Sequence, residues 1–349
     1  MLIPFAKPMI GDAEKHAVLS VISRDRLTDG PEVERFEDDF AKMHGGHAVA
    51  VSSATAGLHL LFLANGVKKL IVPAMTHVAT AHAALAAGAE VRFADCEADG
   101  NISDRTVAQA RKGGFEDAQV CSMHYLGCLC TAKADFADSA LAMGYKVTIP
   151  SVFSFYPTKH ITTGEGGMIV VQHEAMAKRL RKLRAFGRVG LGNPNVSEFG
   201  LNYRMTEMQA AIGIQQLRKL PAWLGRRQTN WNELAGRLPL PALKDNGGLC
   251  YALAVEVSEY RSRDELRAFL SEQGVETSVY YPILVPKLTF YEHRLDRQER
   301  KYLNAERIAS RSLCYPVGPH VGLSEIKFMA SITNQWLTKG PARNKNLVL

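Results

Sequence analysis

Residues 154–167 read Ser154-Phe155-Tyr156-Pro157-Thr158-Lys159-His160-Ile161-Thr162-Thr163-Gly164-Glu165-Gly166-Gly167, and this stretch decides the fold. The apolar residues from Ser151 to Phe155 predict a strand before the lysine, and those from Met168 to Val171 predict another after it. Burial between two strands lowers the pKa of an amine because it disfavours the charged form, so the free amine becomes available as a nucleophile. Taken alone, Lys159 would be interpreted as a solvated surface lysine, and its surroundings reverse that interpretation.

The bulk composition is that of an ordinary globular protein. The chain has 349 residues, of which 46% are hydrophobic and 22% are charged, enough for two domains or for one large domain with a smaller one. No apolar run reaches the roughly 18 residues of a membrane span, and the first residues lack the pattern of a signal peptide. Six cysteines in so long a chain do not indicate a disulfide framework. We therefore expect a cytoplasmic protein without a membrane partner.

The formal net charge of +7 raises the question of a nucleic-acid partner. The basic residues are dispersed, with clusters at Lys178–Arg188 and Arg218–Arg227 that fall on predicted helices. Aromatic residues do not alternate with them, as they would on a surface that stacks bases. We expect solvated helix faces and no nucleic-acid partner. A positive rim around an anionic substrate, such as a nucleotide-sugar, stays open as a further interpretation.

The first part of the chain alternates between predicted strands and predicted helices. This alternation indicates a mostly parallel sheet with helices on both faces. The predicted strands are His47–Val51, Leu70–Val72, Val91–Ala94 and Gln119–Met123, and the predicted helices between and after them are Thr55–Leu63, Val78–Ala87 and Ala132–Met143.

The pattern changes after Met205. An apolar helical stripe runs to Pro221, and residues 222–236 predict a long connecting helix. Strands at Leu249–Val257 and Ser278–Tyr281, with helices at Arg263–Gln273 and Leu323–Leu337, predict a smaller α+β unit. We place the boundary near Leu224, which gives a large domain at residues 1–224, including the N-terminal helix, and a small C-terminal domain at residues 225–349.

Three other segments contain residues suited to binding a cofactor. The strand Val49–Val51 runs into a helix at Thr55-Ala56, where free N–H groups and the helix dipole favour a phosphate, although an ordinary helix cap uses the same residue types. His77 follows another strand and would either lie against an aromatic ring or simply begin a helix. Asn202 precedes the predicted cap at Thr206 and has no evident structural role of its own. A lysine that forms a Schiff base most often does so with pyridoxal phosphate (PLP).

Taken together, these segments resemble the DegT, DnrJ, EryC1 and StrS family of sugar aminotransferases. The resemblance runs from Ile3 to about Leu337, and its most specific part is the stretch around Lys159. Other matching segments are Leu27-Thr28-Asp29-Gly30-Pro31, His124-Tyr125-Leu126-Gly127, Arg184-Ala185-Phe186-Gly187 and Ser312-Leu313-Cys314-Tyr315-Pro316.

The resemblance implies a PLP-dependent enzyme of the type I, aspartate aminotransferase-like α/β fold. Such an enzyme transfers an amino group from an amino acid, for which glutamate is the expected donor, to a keto-sugar attached to a nucleotide. Lys159 would form the Schiff base and carry the proton. Asn202 corresponds to a residue that reaches the phosphate from the neighbouring subunit, which implies a homodimer with shared sites. The implied cofactor-binding residues are Thr55, Ala56, His77, Ser154, Lys159 and Asn202.

The substrate side of the site is less specific. We predict contacts from loops near the lysine and from the small domain, at Tyr156, His160, Arg188, Tyr280 and Tyr281. These residues do not specify which keto-sugar is used or which carbon receives the amino group. We expect no metal site.

We expect the family motif Asp-Ala-Ala-(His or Gln)-Ala, whose aspartate pairs with the pyridine nitrogen, to have no counterpart here. With Ala132–Met143 as a helix, Asp135 and Asp138 lie on that helix, and no acidic residue occurs from Lys146 to Phe153. We consider three explanations: an unusual partner for the nitrogen, a degenerate relative, or a segment omitted from the sequence. The alternative functions are a sensor or scaffold with weak or no turnover, and a PLP-dependent sugar dehydratase. The dehydratase ranks lower because its relatives replace the lysine with histidine.

Overall fold

The structure is a computed structural model that describes residues 2–189, 194–243, 249–258, 262–292 and 301–338. A seven-stranded sheet forms its centre, in the order β1-β7-β6-β5-β4-β2-β3. Strand β7 runs antiparallel to both of its neighbours, and the other pairs are parallel. The mostly parallel sheet is therefore confirmed. Its strands are β1 (His47–Val51), β2 (Lys69–Pro73), β3 (Glu90–Ala94), β4 (Gln119–Met123), β5 (Phe136–Asp138), β6 (Ser151–Ser154) and β7 (Gly167–Val171).

Helices cover both faces of this sheet. Along β1, Val49 and Val51 belong to the apolar cluster on one face, whereas Ala48 and Ala50 belong to the cluster on the other. Strands buried on both faces read as continuous apolar runs, which is why the strand positions were recognisable in the sequence. The helices of this part are α1 (Asp12–Ile22), α2 (Pro31–His44), α3 (Ala54–Ala64), α4 (Val78–Ala86), α5 (Asp104–Arg111) and α6 (Glu174–Leu183).

The predicted helix at Ala132–Met143 is wrong. The chain forms the three-residue strand β5 there and then runs through turns to β6 without a helix. Strand β5 pairs in parallel with β4 on one side and with β6 on the other. Its few residues carry little periodicity, and the Ala- and Leu-containing turn that follows imitates a helical pattern. The connection between two parallel strands usually contains a helix, whereas the one from β5 to β6 consists of turns.

Helix α7 (Glu207–Ala235) contains 29 residues and passes through Pro221 without ending, although the sequence suggested two helices. Proline removes one backbone donor and usually kinks or ends a helix. The apolar residues Leu217 and Leu220 just before it are buried, and α7 packs against α1 and α2. This tertiary packing outweighs the local cost of the proline. The predicted domain boundary near Leu224 lies inside α7 and stays a prediction.

A second, two-stranded sheet pairs β8 (Leu253–Glu256) with β9 (Ser312–Tyr315). It has its own apolar cluster, to which the N-terminal residue Ile3 also belongs. The predicted strand Ser278–Tyr281 is wrong, since only Ser278 forms an isolated bridge, with Cys314. The surrounding helices are α8 (Arg263–Glu272), α9 (Thr289–Glu292), α10 (Leu303–Arg311) and α11 (Leu323–Thr338). Among the described residues, no helix is both long enough and apolar enough to cross a membrane.

Candidate active site

Lys159 lies in the turn that follows β6, where its backbone N–H donates to the Tyr156 carbonyl over 2.9 Å. Burial lowers the pKa of its amine to about 8, while the negative charge of Asp138 opposes that shift. Its Nζ lies 5.6 Å from the ring centroid of Tyr251, on the face where an aromatic ring attracts a cation. A larger part of the Lys159 population than of an ordinary lysine therefore carries a free, nucleophilic amine near neutral pH.

Asp138 lies at the carboxyl end of β5 and is only 4% exposed. Its Oδ2 accepts from the Thr80 hydroxyl over 2.8 Å, and its Oδ1 accepts from the Ala140 N–H over 3.0 Å. Each carboxylate oxygen can accept more than one hydrogen bond. Asp138 acts electrostatically on both Lys159 and His77. A buried carboxylate with acceptor capacity to spare thus lies in the neighbourhood of the lysine.

This position corrects the expectation that the site lacks a carboxylate. Asp138 ends a strand instead of lying on a helix, and the carboxyl ends of parallel strands are where α/β folds bind ligands. Asp138-Ser139-Ala140-Leu141-Ala142 matches the family motif at its aspartate and at both later alanines. The motif was present in the sequence but was hidden by the helix assigned over it. No omitted segment and no unusual partner is needed to supply an acidic side chain.

A buried hydrogen-bonded chain supports the turn after Asp138. The Cys130 N–H donates to His124 Nδ1 over 3.1 Å, so the neutral ring carries its proton on Nε2 and donates it to the Tyr145 hydroxyl over 3.0 Å. Burial lowers the pKa of His124 to about 4, which keeps the ring neutral. The Tyr145 and Ser139 hydroxyl oxygens are 2.6 Å apart. The backbone N–H of His124 also donates to the backbone carbonyl of Asp138 over 3.2 Å.

The first turn of α3 and the end of β6 meet across the start of β7. Gly167 is the residue that pairs with both Val51 and Ser154. A Cβ atom at Gly167 would lie 2.6 Å from the Ala54 nitrogen and 2.7 Å from the Ser53 carbonyl carbon. The absence of a side chain therefore lets the N-terminus of α3 approach β7 at the residue that pairs with Ser154. An N-terminus of this kind favours an anion.

The predicted phosphate-binding residues differ in availability. Thr55 is exposed on the first turn of α3. The Ala56 N–H donates to the hydroxyl of the capping residue Ser53 over 3.1 Å, so a phosphate would have to share or displace that bond. Ser154 is 7% exposed, and its hydroxyl accepts a long bond of 3.4 Å from the Tyr156 N–H.

His77 caps α4, with its Nδ1 accepting from the Ala79 N–H over 3.2 Å. Its ring is exposed and contacts the ring of Tyr281 edge to face, with the centroids 6.2 Å apart. Burial of part of the ring lowers its pKa; Asp138 opposes that shift, and Lys159 and His82 add to it. Both interpretations of His77 thus fit, because the residue begins a helix and also lies within electrostatic reach of the lysine and the carboxylate.

Asn202 is exposed, and its Oδ1 accepts from the Arg204 guanidinium over 3.0 Å. Arg204 in turn forms an ion pair with Asp29 over 3.0 Å. The Ser52 N–H donates to the Tyr203 carbonyl over 2.8 Å, which ties this segment to the turn before α3. Asn202 is therefore exposed at the surface. The next residue, Tyr203, accepts the bond from Ser52, in the turn where a phosphate would bind.

The predicted substrate-side residues differ in their exposure to solvent. Tyr281 is half-buried next to His77, and burial raises its pKa together with the charge of Asp138. Tyr156 is 49% exposed after β6. Arg188 is exposed, with its guanidinium 5.3 Å from the ring centroid of Phe186. His160 is a correction: it is 3% exposed and donates from Nε2 to the Leu249 carbonyl over 2.9 Å, so it is engaged inside the protein. Burial lowers its pKa to about 3.

Tyr251 is a site residue that the sequence did not reveal. Its ring is 3% exposed and lies beside Lys159, and its hydroxyl is 2.8 Å from that of Tyr280, the fifth substrate-side candidate. The Tyr125 hydroxyl donates to the Tyr280 carbonyl, which connects the pair Tyr251 and Tyr280 to the segment after β4. Tyr251 comes from the segment just before β8, so only the folded chain brings it next to the lysine.

Comparison with known proteins identifies the family of the chain. The model of the DegT/DnrJ/EryC1/StrS aminotransferase family matches residues 8–148 and 138–333. A UDP-4-amino-4,6-dideoxy-N-acetyl-beta-L-altrosamine transaminase of Campylobacter jejuni is 29% identical over 94% of this chain and 96% of its own length.

Two solved structures extend the comparison. Helicobacter pylori PseC, an aminotransferase involved in pseudaminic acid biosynthesis, covers 97% of this chain and is itself covered completely (100%), with a TM-score of 0.88 at 22% identity, which shows the common fold. DesI, solved in the presence of its TDP-sugar product, is 27% identical with a TM-score of 0.86, and the match covers 97% of this chain and 93% of DesI. This chain belongs to the DegT/DnrJ/EryC1/StrS aminotransferase family.

Proposed function

We propose that this aminotransferase binds PLP through Lys159 and transfers an amino group from an amino acid, with glutamate as the expected donor, to a nucleotide-linked keto-sugar. The product would serve the biosynthesis of amino sugars for polysaccharide, lipopolysaccharide or secondary metabolites. The names of the relatives support the substrate class, since one acts on a UDP-linked sugar and another was solved with a TDP-sugar. The observation that carries the proposal is the juxtaposition of a lysine of lowered pKa with the buried carboxylate of Asp138.

The described residues fit PLP in three respects. The Lys159 amine, with its pKa lowered to about 8, suits a carbonyl. The N-terminus of α3, closely packed on Gly167 beside Ser154, suits a phosphate. Asp138 has acceptor capacity beyond its bonds to Thr80 and Ala140, which suits the N–H of a protonated pyridine ring.

Bound PLP would supply an electron sink for the negative charge that develops on carbon during transamination. Lys159 would hold the cofactor before substrate arrives and then move the proton. Its amine is suited to both roles because a base is most effective when its pKa is near the working pH. Asp138 would keep the ring nitrogen protonated through charge pairing, and His77 would pack against the ring. Thr55, Ser154 and the N–H groups of α3 would bind the phosphate.

The proposal also includes the oligomeric state and the cellular location of the enzyme. Asn202 is exposed and would reach the phosphate of a neighbouring subunit in a homodimer. The candidate substrate residues that stay available are Tyr156, Arg188 and Tyr281. The six cysteines, all within the described residues, form no disulfide with one another, which supports the expected cytoplasmic setting. No nucleic-acid or membrane partner is part of the proposal.

The alternative of a degenerate sensor or scaffold is no longer supported. It depended on a missing carboxylate, and Asp138 would supply that group. The dehydratase alternative is disfavoured by the presence of Lys159, since the relatives of that kind replace this lysine with histidine. Neither alternative has an observation of its own in the described residues.

The test is to add PLP to the purified protein and record the absorption spectrum, and then to add glutamate. We expect a band of protein-linked cofactor that is absent in Lys159→Ala and that glutamate converts to the pyridoxamine form. Lys178→Ala is the matched control, because Lys178 pairs with Glu174 on the exposed surface of α6. A wild-type spectrum identical to that of Lys159→Ala would overturn the proposal.

A further inference from the structure

Thr80 is a fully buried residue on the first turn of α4, and its hydroxyl lies 2.8 Å from Asp138 Oδ2. An ionised carboxylate only accepts hydrogen bonds, so Thr80 must be the donor. The other oxygen accepts the Ala140 N–H. The two oxygens of Asp138 are thus held by donors on two different elements, the α4 helix and the turn after β5.

A second threonine continues this contact away from the carboxylate. Thr76 is 2% exposed, with its hydroxyl 3.2 Å from that of Thr80 and 3.3 Å from the Met123 sulfur. The single proton of Thr80 is committed to Asp138, so Thr76 is the donor in any bond between the threonines. The single proton of Thr76 can go to the Met123 sulfur or to the Thr80 oxygen. In either case the Thr80 proton stays in its bond to Asp138.

We propose that Thr80 is the positioning residue of Asp138, holding the carboxylate in the orientation in which it pairs with the pyridine nitrogen of PLP. This inference rests on the proposed function. Thr80 acts through Asp138 and does not touch the reacting atoms. The α4 helix then has two tasks, because its N-cap residue is His77.

A purely structural role for Thr80 makes a different prediction. A buried hydroxyl that only contributes to packing or to the helix would affect stability when removed, in the same way whether Asp138 is present or not. A positioning residue would affect the affinity for PLP, and only in the presence of Asp138. The two roles therefore separate in a double-mutant cycle.

The experiment compares Thr80→Val, which keeps the shape but removes the hydroxyl, with Thr80→Ser, which keeps the hydroxyl. Thr333→Val is the matched control: Thr333 is equally buried, and its hydroxyl donates to the Met329 carbonyl in α11 and not to a carboxylate. For each variant we would measure the dissociation constant for PLP and the thermal unfolding of the protein without PLP.

We expect Thr80→Val to weaken PLP binding by about 10- to 100-fold, the range for losing a hydrogen bond to a charged group. Thr80→Ser should stay within about threefold of the wild type, and Thr333→Val within about twofold. In an Asp138→Ala background, adding Thr80→Val should change the dissociation constant by less than about twofold. If Thr80→Val does not fold, Thr80→Ala takes its place in the same cycle.

The inference is overturned if Thr80→Val binds PLP as tightly as Thr333→Val does. It is also overturned if the effect of Thr80→Val is unchanged in the Asp138→Ala background. Both results require a wild type that binds PLP through Lys159, so they differ from failure of the proposed function, in which the wild type itself shows no Lys159-dependent binding.

Discussion

Replacing Gly167 with alanine should disturb the phosphate end of the site without altering Lys159 or Asp138. The backbone of Gly167 does not have a positive φ, so alanine is not excluded by the backbone conformation. The cost comes from the new Cβ, which would lie 2.6 Å from the Ala54 nitrogen, 2.7 Å from the Ser53 carbon and 2.8 Å from the Ser53 oxygen. All three are backbone atoms, and real Cβ atoms do not approach backbone so closely, so the start of α3 must move away from β7.

The size of the effect follows from this contact. Overpacking of a filled site costs about 1–3 kcal/mol of the free energy of unfolding. A displaced helix start also misdirects the N–H groups that would face a phosphate, and one hydrogen bond to a charged group is worth about 1.5–3 kcal/mol. We therefore expect PLP to bind roughly 10- to 100-fold more weakly to Gly167→Ala than to the wild type.

The matched control is Gly225→Ala. A Cβ there meets nothing within 4 Å, and the residue lies inside α7, where alanine is a better helix former than glycine by about 0.5–1 kcal/mol. Urea unfolding would measure stability, and equilibrium dialysis would measure PLP binding. Equal PLP affinity in the two variants would refute the assignment of the α3 start to the phosphate. Equal stability would refute the close packing of α3 on Gly167.

Three other predictions concern Lys159 and the subunit contact. PLP should attach to Lys159 faster as the pH rises from 6 to about 8, since the amine reacts in its free form and its pKa is lowered to about 8; a stopped-flow rate independent of pH over this range would contradict it. Tyr251→Leu should lower the pKa of Lys159 further by a fraction of a unit, because the ring favours the charged amine by about 0.5–1 kcal/mol. Titration of the amine in the protein without PLP would measure this pKa, and Tyr251→Phe, which keeps a ring, is the control. A higher pKa in Tyr251→Leu would contradict the prediction. In the proposed homodimer, mixing Lys159→Ala with Asn202→Ala subunits should restore one intact site per hybrid, detected as PLP-dependent transamination above that of either parent. Activity in verified hybrids no higher than that of the Asn202→Ala parent would place both residues in sites of one chain.

The neighbourhood of Lys159 was predictable because local sequence determines it. Strands β6 and β7 are continuous apolar runs on either side of a turn, and the start of α3 follows a strand in the same way. Such segments carry their own signal, since short apolar runs bounded by turn residues are typical of strands buried on both faces. The position of Thr55 and Ala56 on a helix start was likewise readable from the residue types alone.

Asp138 and Tyr251 could not be placed by the same reasoning. Strand β5 has only three residues, too few to show a period, and the Ala-rich turn after it imitates a helix. Tyr251 reaches Lys159 from a segment far along the chain, a contact that no local pattern encodes. The predicted helix end at Pro221 was wrong for a third reason. Proline locally favours the end of a helix, but the packing of α7 against α1 and α2 outweighs this preference.

The contact of Ile3 with the second core has a consequence for synthesis of the chain. The Ile3 N–H donates to the Gly274 carbonyl over 2.8 Å, and the Glu276 N–H donates to the Ile3 carbonyl over 2.9 Å. Ribosomes add roughly 5–20 residues per second, so the N-terminal segment waits on the order of tens of seconds before its partner is made. The large sheet can assemble during that interval, whereas the small core can close only near the end of translation. A nascent chain arrested before residue 274 should therefore leave its first residues accessible to protease, even when β1 to β7 are already protected.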